Sequence, residues 1–292
     1  MTISNNLIYS LIKELLDDTN FTFTEIKEGL SNKIYKIYHN KSKVYILRKF
    51  GRYTPENRDD EITIINLLSE YNISRKIVKK FDGGLLETYV DGETLDKYNL
   101  YNMDIIGKIC KKMRIMHNIK FDIGTDIFQK IHNFKKELVK KKYNNDNLYD
   151  YIECINEEEY LYLEKGLCHN DLLLENIIYN NDTKVLSFID LEYAGQNYIY
   201  FDIANFFCEM CGMDCDMSLF PKKHYRYKFY SSYDSTIKNY EEFDNNVIKF
   251  VKYSHLLWGL WGLNCSLTGI DEVNFDYINY SKLRLKEIQI CV

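Results

Sequence analysis

The chain has 292 residues, 46% hydrophobic and 28% charged, an ordinary globular balance, long enough to bury a sizeable core as one large domain or as two lobes. A net charge of −5, with Lys and Arg scattered, argues against nucleic acid as the main partner. No apolar run reaches the roughly 18 residues of a membrane span, and no basic start precedes an apolar signal-peptide core. A cytoplasmic protein is therefore expected, with its eight cysteines as free thiols.

The opening residues place Leu7, Ile8, Leu11, Ile12, Leu15 and Leu16 at helical period. A strand-rich section follows from Phe21 to Gly51, with turns at 29–32 and 39–42. A helix is expected over about 57–71, then strands 77–81 and 85–90 joined by Asp82-Gly83-Gly84. This order fits a small nucleotide-holding lobe over residues 1–90. From Asp104 the pattern is mainly helical, broken by a loop at 168–176 and a hairpin of 177–179 with 185–189. Residues 91–292 are expected to form the second lobe, with catalysis and acceptor binding.

The chemistry concentrates between Cys168 and Glu209. His169-Asn170-Asp171 is followed by Asn176, then a hairpin, then Ile189-Asp190. Phosphoryl transfer from a nucleotide needs these parts: one carboxylate to receive the acceptor's hydroxyl proton, and a second carboxylate with an amide oxygen to hold Mg²⁺ on the phosphates. Asp171 is the expected base, and Asn176 and Asp190 the expected Mg²⁺ ligands, hard oxygens suited to that ion. Protein kinases share the order but carry Arg at the second loop position and Phe-Gly after the second Asp; Asn170 and Leu191-Glu192 stand here instead. Glu192 is weighed as an outer-sphere metal contact, and Asp202 as a helix cap that also anchors the loop.

Arg48, on the third strand, is expected to reach the α/β-phosphates with Glu61 as its partner. Backbone N–H groups around Gly29, Ser31 and Asn32 are expected over the phosphates. Backbone from Glu87 to Tyr89 is expected to pair with adenine. Trp258 and Trp261, three apart on a helix, share a face suited to a cationic acceptor, with Tyr193 after the metal aspartate and a carboxylate at Glu209. Cys208, Cys211 and Cys215 overlap an apolar helix and read as small hydrophobes rather than zinc ligands.

Together these residues resemble the choline/ethanolamine kinase family. Its loop H-N-D-x-x-x-x-N-I stands as His169–Ile177, and its second signature as Ile189–Glu209, with Leu191 in place of the usual Phe. Its H-x-x-W-G-L-W stands as His255–Trp261, followed by Phe275–Tyr280. Glu28 occupies a position where members often have a second glycine. The resemblance implies an α+β, bilobal protein-kinase-like fold and ATP- and Mg²⁺-dependent phosphorylation of ethanolamine or choline. It maps an aromatic box onto Tyr193, Trp258, Trp261, Phe275 and Tyr280. The H-N-D-L-L opening and the segment after Glu209 look more like the ethanolamine branch. A homodimer is compatible with all of this. Two alternatives stay open: another small-molecule kinase of the same fold, such as an aminoglycoside phosphotransferase, and a catalytically dead binding protein.

Overall fold

A computed structural model describes residues 3–26, 32–40, 42–51, 58–268 and 275–290. The chain divides into two units, Met1–Gly92 and Glu93–Val292. Gly29 and Ser31 lie outside the described residues.

The first unit opens with α1 (Ile3–Leu16), then β1 (Phe21–Ile26), β2 (Asn32–His39), β3 (Lys43–Phe50), α2 (Arg58–Glu70), β4 (Ile77–Phe81) and β5 (Gly84–Thr88). The strands form one antiparallel sheet in the order β1-β2-β3-β5-β4. Alternation divides its side chains between two faces. Leu47 and Leu86 join Ile8, Ile12 and Leu15 of α1, Phe21, Tyr35 and Ile37 in one apolar core. Their neighbours Arg48 and Glu87 therefore point to the other face, where Arg48 meets Glu61 of α2. On α2 the buried face is Glu61, Ile64, Ile65 and Leu68, whereas Ile62 and Leu67 are half-buried.

The second unit holds a short strand β6 (Glu93–Thr94), α3 (Met103–His117), α4 (Ile127–Lys140), α5 (Asp146–Glu153), β7 (Lys165–Cys168), β8 (Ile177–Tyr179), β9 (Leu186–Phe188), β10 (Gly195–Tyr198), α6 (Ile199–Glu209), α7 (Lys223–Tyr233), α8 (Tyr240–Ser266) and α9 (Tyr277–Lys286). The antiparallel pair β7–β10 and the sheet β6-β8-β9 flank the loop between β7 and β8. α8 packs against α4, α6 and α9. It is apolar nearly all round over its last turns, as a buried helix must be. Gly259 and Gly262 let α9 approach closely. A Cβ on Gly259 would sit 2.6 Å from the Leu285 side chain, and one on Gly262 would sit 2.3 Å from Ser281 Oγ and 3.0 Å from the Tyr277 carbonyl oxygen. Small residues at i and i+3 clear one stripe of the helix, so the flanking tryptophans stand beside α9 rather than holding it off.

No described helix is long and apolar enough to cross a membrane. The described cysteines are free, and Cys208, Cys211 and Cys215 are buried. Burial pushes the Cys208 and Cys211 thiols up to about 12, as expected of protonated thiols packed among apolar side chains.

Candidate active site

The loop after β7 is fixed before it carries any chemistry. Asn170 adopts a left-handed backbone (φ 66°), a conformation that Asn tolerates better than most residues. Its N–H donates to Asp202 Oδ1 at 2.7 Å, and the His169 N–H donates to Oδ2 at 3.1 Å. His117 Nε2 lies 2.9 Å from the same Oδ2, and His117 Nδ1 lies 2.7 Å from the Tyr233 hydroxyl. Burial alone would raise the Asp202 carboxyl, but these hydrogen bonds and the neighbouring imidazoles bring it below its ordinary range. Asp202 therefore anchors the loop. It does not cap α6, whose first position is preceded by Tyr198 with no side-chain cap. His117, Cys168 and Asp202 lie close enough to hold a metal ion. The hydrogen bonds just given occupy both His117 nitrogens and both Asp202 oxygens.

Asp171 follows Asn170 and is half-buried. Desolvation pushes its carboxyl well above the usual range, reinforced by Glu209, Asp190 and Glu192 and opposed by Arg284. Those residues are therefore its electrostatic neighbours. Asn176 Nδ2 donates to the Asp171 carbonyl oxygen at 2.9 Å and approaches Oδ2 at 3.5 Å. With the nitrogen so committed, Oδ1 is the amide atom left for a metal ion. The β8–β9 hairpin pairs Ile177 with Phe188, and the Ile189 N–H donates to the Asn176 carbonyl at 2.9 Å. This register brings Asn176 and Asp190 to the same end of the hairpin. His169 Nε2 ties down the Ile189 carbonyl at 3.0 Å. Asp190 is also left-handed (φ 58°), and its buried Oδ1 has no hydrogen-bond partner among the described residues. A carboxylate oxygen of this kind and an amide oxygen at the same end of the hairpin are hard donors that fit a cation such as Mg²⁺. Glu192 is buried nearby.

The expected aromatic residues form one cluster. Ring centroids lie 5.3 Å apart for Tyr193–Trp258, 5.8 Å for Trp258–Trp261, 6.0 Å for Trp261–Tyr280 and 5.5 Å for Phe275–Tyr280. All four pairs are edge-to-face, the arrangement ring quadrupoles favour. Tyr277, absent from the expected box, lies 5.5 Å from Trp261 and 4.9 Å from Phe275. Beside the cluster, Glu209 is not the open carboxylate expected: its Oε1 accepts from Arg284 Nη2. Arg284, fully buried on α9, also donates from Nε to the Tyr280 hydroxyl at 3.1 Å. The signal for Arg284 in the sequence is faint: it stands four residues after Tyr280, on the same helix face.

In the first unit, Arg48 and Glu61 pair as expected, Nη1 to Oε1 at 2.6 Å. Arg58, not anticipated, donates to Glu61 Oε2 at 2.6 Å and lies 3.4 Å from Asn32 Oδ1. Glu87 is buried, with Arg48 and Arg75 each 3.5 Å from its Oε2. The adenine-pairing expectation meets a sheet already formed. The Thr88 N–H donates to the Lys76 carbonyl at 2.9 Å and the Tyr89 N–H to the Val44 carbonyl at 3.3 Å. The Tyr89 ring lies under Lys36 Nζ at 3.9 Å.

The sequence profile described as choline/ethanolamine kinase matches residues 23–289. The chain belongs to the choline/ethanolamine kinase family. Among choline/ethanolamine kinase relatives, a probable ethanolamine kinase of Nematostella vectensis is 29% identical, over 97% of this chain and 92% of its own length. A probable choline kinase of Arabidopsis thaliana is 30% identical, over 79% of this chain and 72% of its own. A solved Plasmodium vivax ethanolamine kinase superposes with a TM-score of 0.80 at 29% identity, over 94% of this chain and 83% of its own. The protein-kinase-like architecture expected of a choline/ethanolamine kinase is thus the one observed.

Proposed function

We propose that this chain transfers the γ-phosphoryl group of ATP to the hydroxyl of ethanolamine or choline, the entry step to phospholipid head groups. The observation that carries this reading lies within the second unit. Asp171 has Asp190, Glu192 and Glu209 as charge neighbours, and Glu209 pairs with Arg284, which holds Tyr280 of the aromatic cluster. An alcohol bearing a cation at its far end would meet a proton acceptor at one end and aromatic faces at the other. Asp171, raised in proton affinity by its surroundings, orients the hydroxyl and receives its proton.

Asn176 Oδ1 and Asp190 are the groups suited to hold Mg²⁺. When bound, the ion neutralises charge developing on the phosphate oxygens. In the first unit Arg48, kept in place by Glu61, is the cation proposed for the α/β-phosphates. Within the family, an ethanolamine preference is the favoured reading. With Oε1 held by Arg284, Glu209 has Oε2 left to accept one ammonium N–H, which a trimethylated head cannot donate.

A coupled assay of ADP release with ethanolamine, choline and kanamycin tests the reading. Turnover with an amino alcohol but not with kanamycin is expected. Turnover with kanamycin alone overturns it in favour of an antibiotic kinase, and none with any acceptor in favour of a binding protein.

A further inference from the structure

Asn205, in the middle of α6, has no part in the function proposed above, yet it joins three pieces of the site. Its side chain is fully buried. Oδ1 accepts from Trp258 Nε1 at 2.7 Å and from Ser254 Oγ at 2.8 Å, both on α8. Nδ2 donates to the Asn170 carbonyl oxygen at 3.4 Å. That carbonyl belongs to the peptide bond leading into Asp171. Asn170 answers on its other side: its Nδ2 donates to the Tyr193 carbonyl at 2.9 Å, and its Oδ1 accepts from Asn197 Nδ2 at 2.8 Å. Trp258 and Tyr193 are neighbours in the aromatic cluster, and both are tethered to the left-handed residue before the proposed base, Trp258 through its ring N–H and Asn205, and Tyr193 through its backbone carbonyl.

A buried amide that only filled space would be replaced at little cost by an apolar residue of similar size. This one saturates two donors on α8 and one acceptor on the loop, and a residue missing any of those bonds leaves a buried polar group unmatched. Polar networks of this kind specify geometry more than they add stability. Reaction rates are steep in geometry: a displacement of about 1 Å costs on the order of 10²-fold.

We infer that Asn205 is a positioning residue that, through Asn170, locks the aromatic acceptor subsite in register with Asp171. The inference rests on the phosphoryl-transfer reading above. The rings hold the acceptor, Asp171 orients its hydroxyl, and Asn205 sets the distance between them. Attack by water needs no such register, because water fills whatever position Asp171 offers. Loss of the link should therefore lower transfer to the alcohol while sparing the slow hydrolysis of ATP.

The experiment uses the full chain with Mg·ATP, with and without ethanolamine, and measures phosphorylated alcohol and free phosphate separately. Asn205→Asp keeps an acceptor for Trp258 and Ser254 and sets a carboxyl oxygen, in place of the amide donor, against the Asn170 carbonyl. Its transfer-to-hydrolysis ratio is expected to fall about tenfold, with KM for ethanolamine within about twofold. Asn205→Ala also frees Trp258 and should raise that KM as well. Trp258→Phe removes the N–H donor to Asn205 and also shrinks the ring. It covers the case in which the Asn205 variants fail to fold: kcat for transfer should fall relative to hydrolysis, over and above the KM rise that the smaller ring brings. Where Asn205→Ala folds, the double variant should be no worse than the poorer single one, because both cut one connection. Transfer and hydrolysis falling in proportion, or a ratio that stays put, overturns the inference and leaves the proposed function intact. A wild-type chain that phosphorylates neither ethanolamine nor choline overturns both.

Discussion

Arg284 of α9 and Glu209 at the end of α6 form an ion pair in which the guanidinium is fully buried. Burial works against charge on Arg284, and Glu209 together with Tyr280, Cys215 and Cys208 more than offsets it, holding the guanidinium well above its ordinary range. Among the described residues Arg284 Nη1 has no hydrogen-bond partner, and Glu209 and the Tyr280 hydroxyl are the groups that bond this cation. Removing one member of a buried pair strands the other. Arg284→Met is accordingly expected to destabilise the fold by about 3 kcal/mol in urea unfolding, and Arg284→Met with Glu209→Gln to recover part of that loss. A single variant as stable as the parent would remove the pair from any structural role.

Asp171→Asn should abolish transfer while nucleotide binding survives. The substitution keeps the shape and the Asn176 contact to the backbone but removes the proton acceptor. Positioned bases contribute about 10²–10⁴-fold, so a variant retaining more than roughly a tenth of kcat would contradict the assignment.

Asp190→Ala should weaken Mg²⁺-dependent nucleotide binding and leave amino-alcohol binding in place. The unpartnered Oδ1 motivates it. Calorimetric titration of ATP with and without Mg²⁺ reads the effect, and an unchanged Mg²⁺ dependence would refute it.

Trp258→Ala should raise KM for the amino alcohol and leave KM for ATP nearly unchanged, since cation–π contacts contribute about 0.5–2 kcal/mol when desolvated. Measuring both constants with both alcohols also tests the preference. A higher kcat/KM for choline would reverse the ethanolamine reading without touching the family assignment.

Stability should decline in acid because of a buried imidazole. Burial, then Arg284, pushes His255 down to about 3 from an ordinary value near 6.5. Between those values the unfolded chain binds a proton that the folded chain refuses, so stability drops as pH falls through this window. One such group adds a slope of up to about 1.4 kcal/mol per pH unit. His255→Gln should flatten the dependence of unfolding free energy between about pH 6 and 4 by that amount. His169, lowered by burial as well, contributes in the same direction and leaves a residual slope.

The legible parts of the fold and site were those written locally. Asp171, Asn176 and Asp190 stand in fixed sequence because a tight loop and a three-residue hairpin hold them together, and the hairpin strands lie within a residue of where alternation put them. Trp258 and Trp261 share a face by helical period alone. The rest was written in pairs far apart. Glu209 and Arg284 are 75 positions apart, and nothing periodic links them. Arg75 and Arg58 belong to no motif in the sequence, and only the sheet and α2 place Glu87 and Glu61 against them. Asn205 reads as an ordinary position in an apolar helix, and its bonds exist only because α8 passes beside α6. For the Glu87–Tyr89 expectation, the sequence does not show that the Thr88 and Tyr89 N–H groups donate to the Lys76 and Val44 carbonyls.

The seating of α9 against Gly259 and Gly262 has a bearing on the order in which the protein acquires its parts. Phe275, Tyr277, Tyr280 and Arg284 all belong to the closing segment of the chain. During translation the loop bearing Asp171 emerges more than a hundred residues earlier. A nascent chain would possess its phosphoryl-transfer residues well before the half-box of aromatics and the counter-ion of Glu209. The groups proposed to face a cationic alcohol come together later than the proposed base, once α9 has left the ribosome and docked.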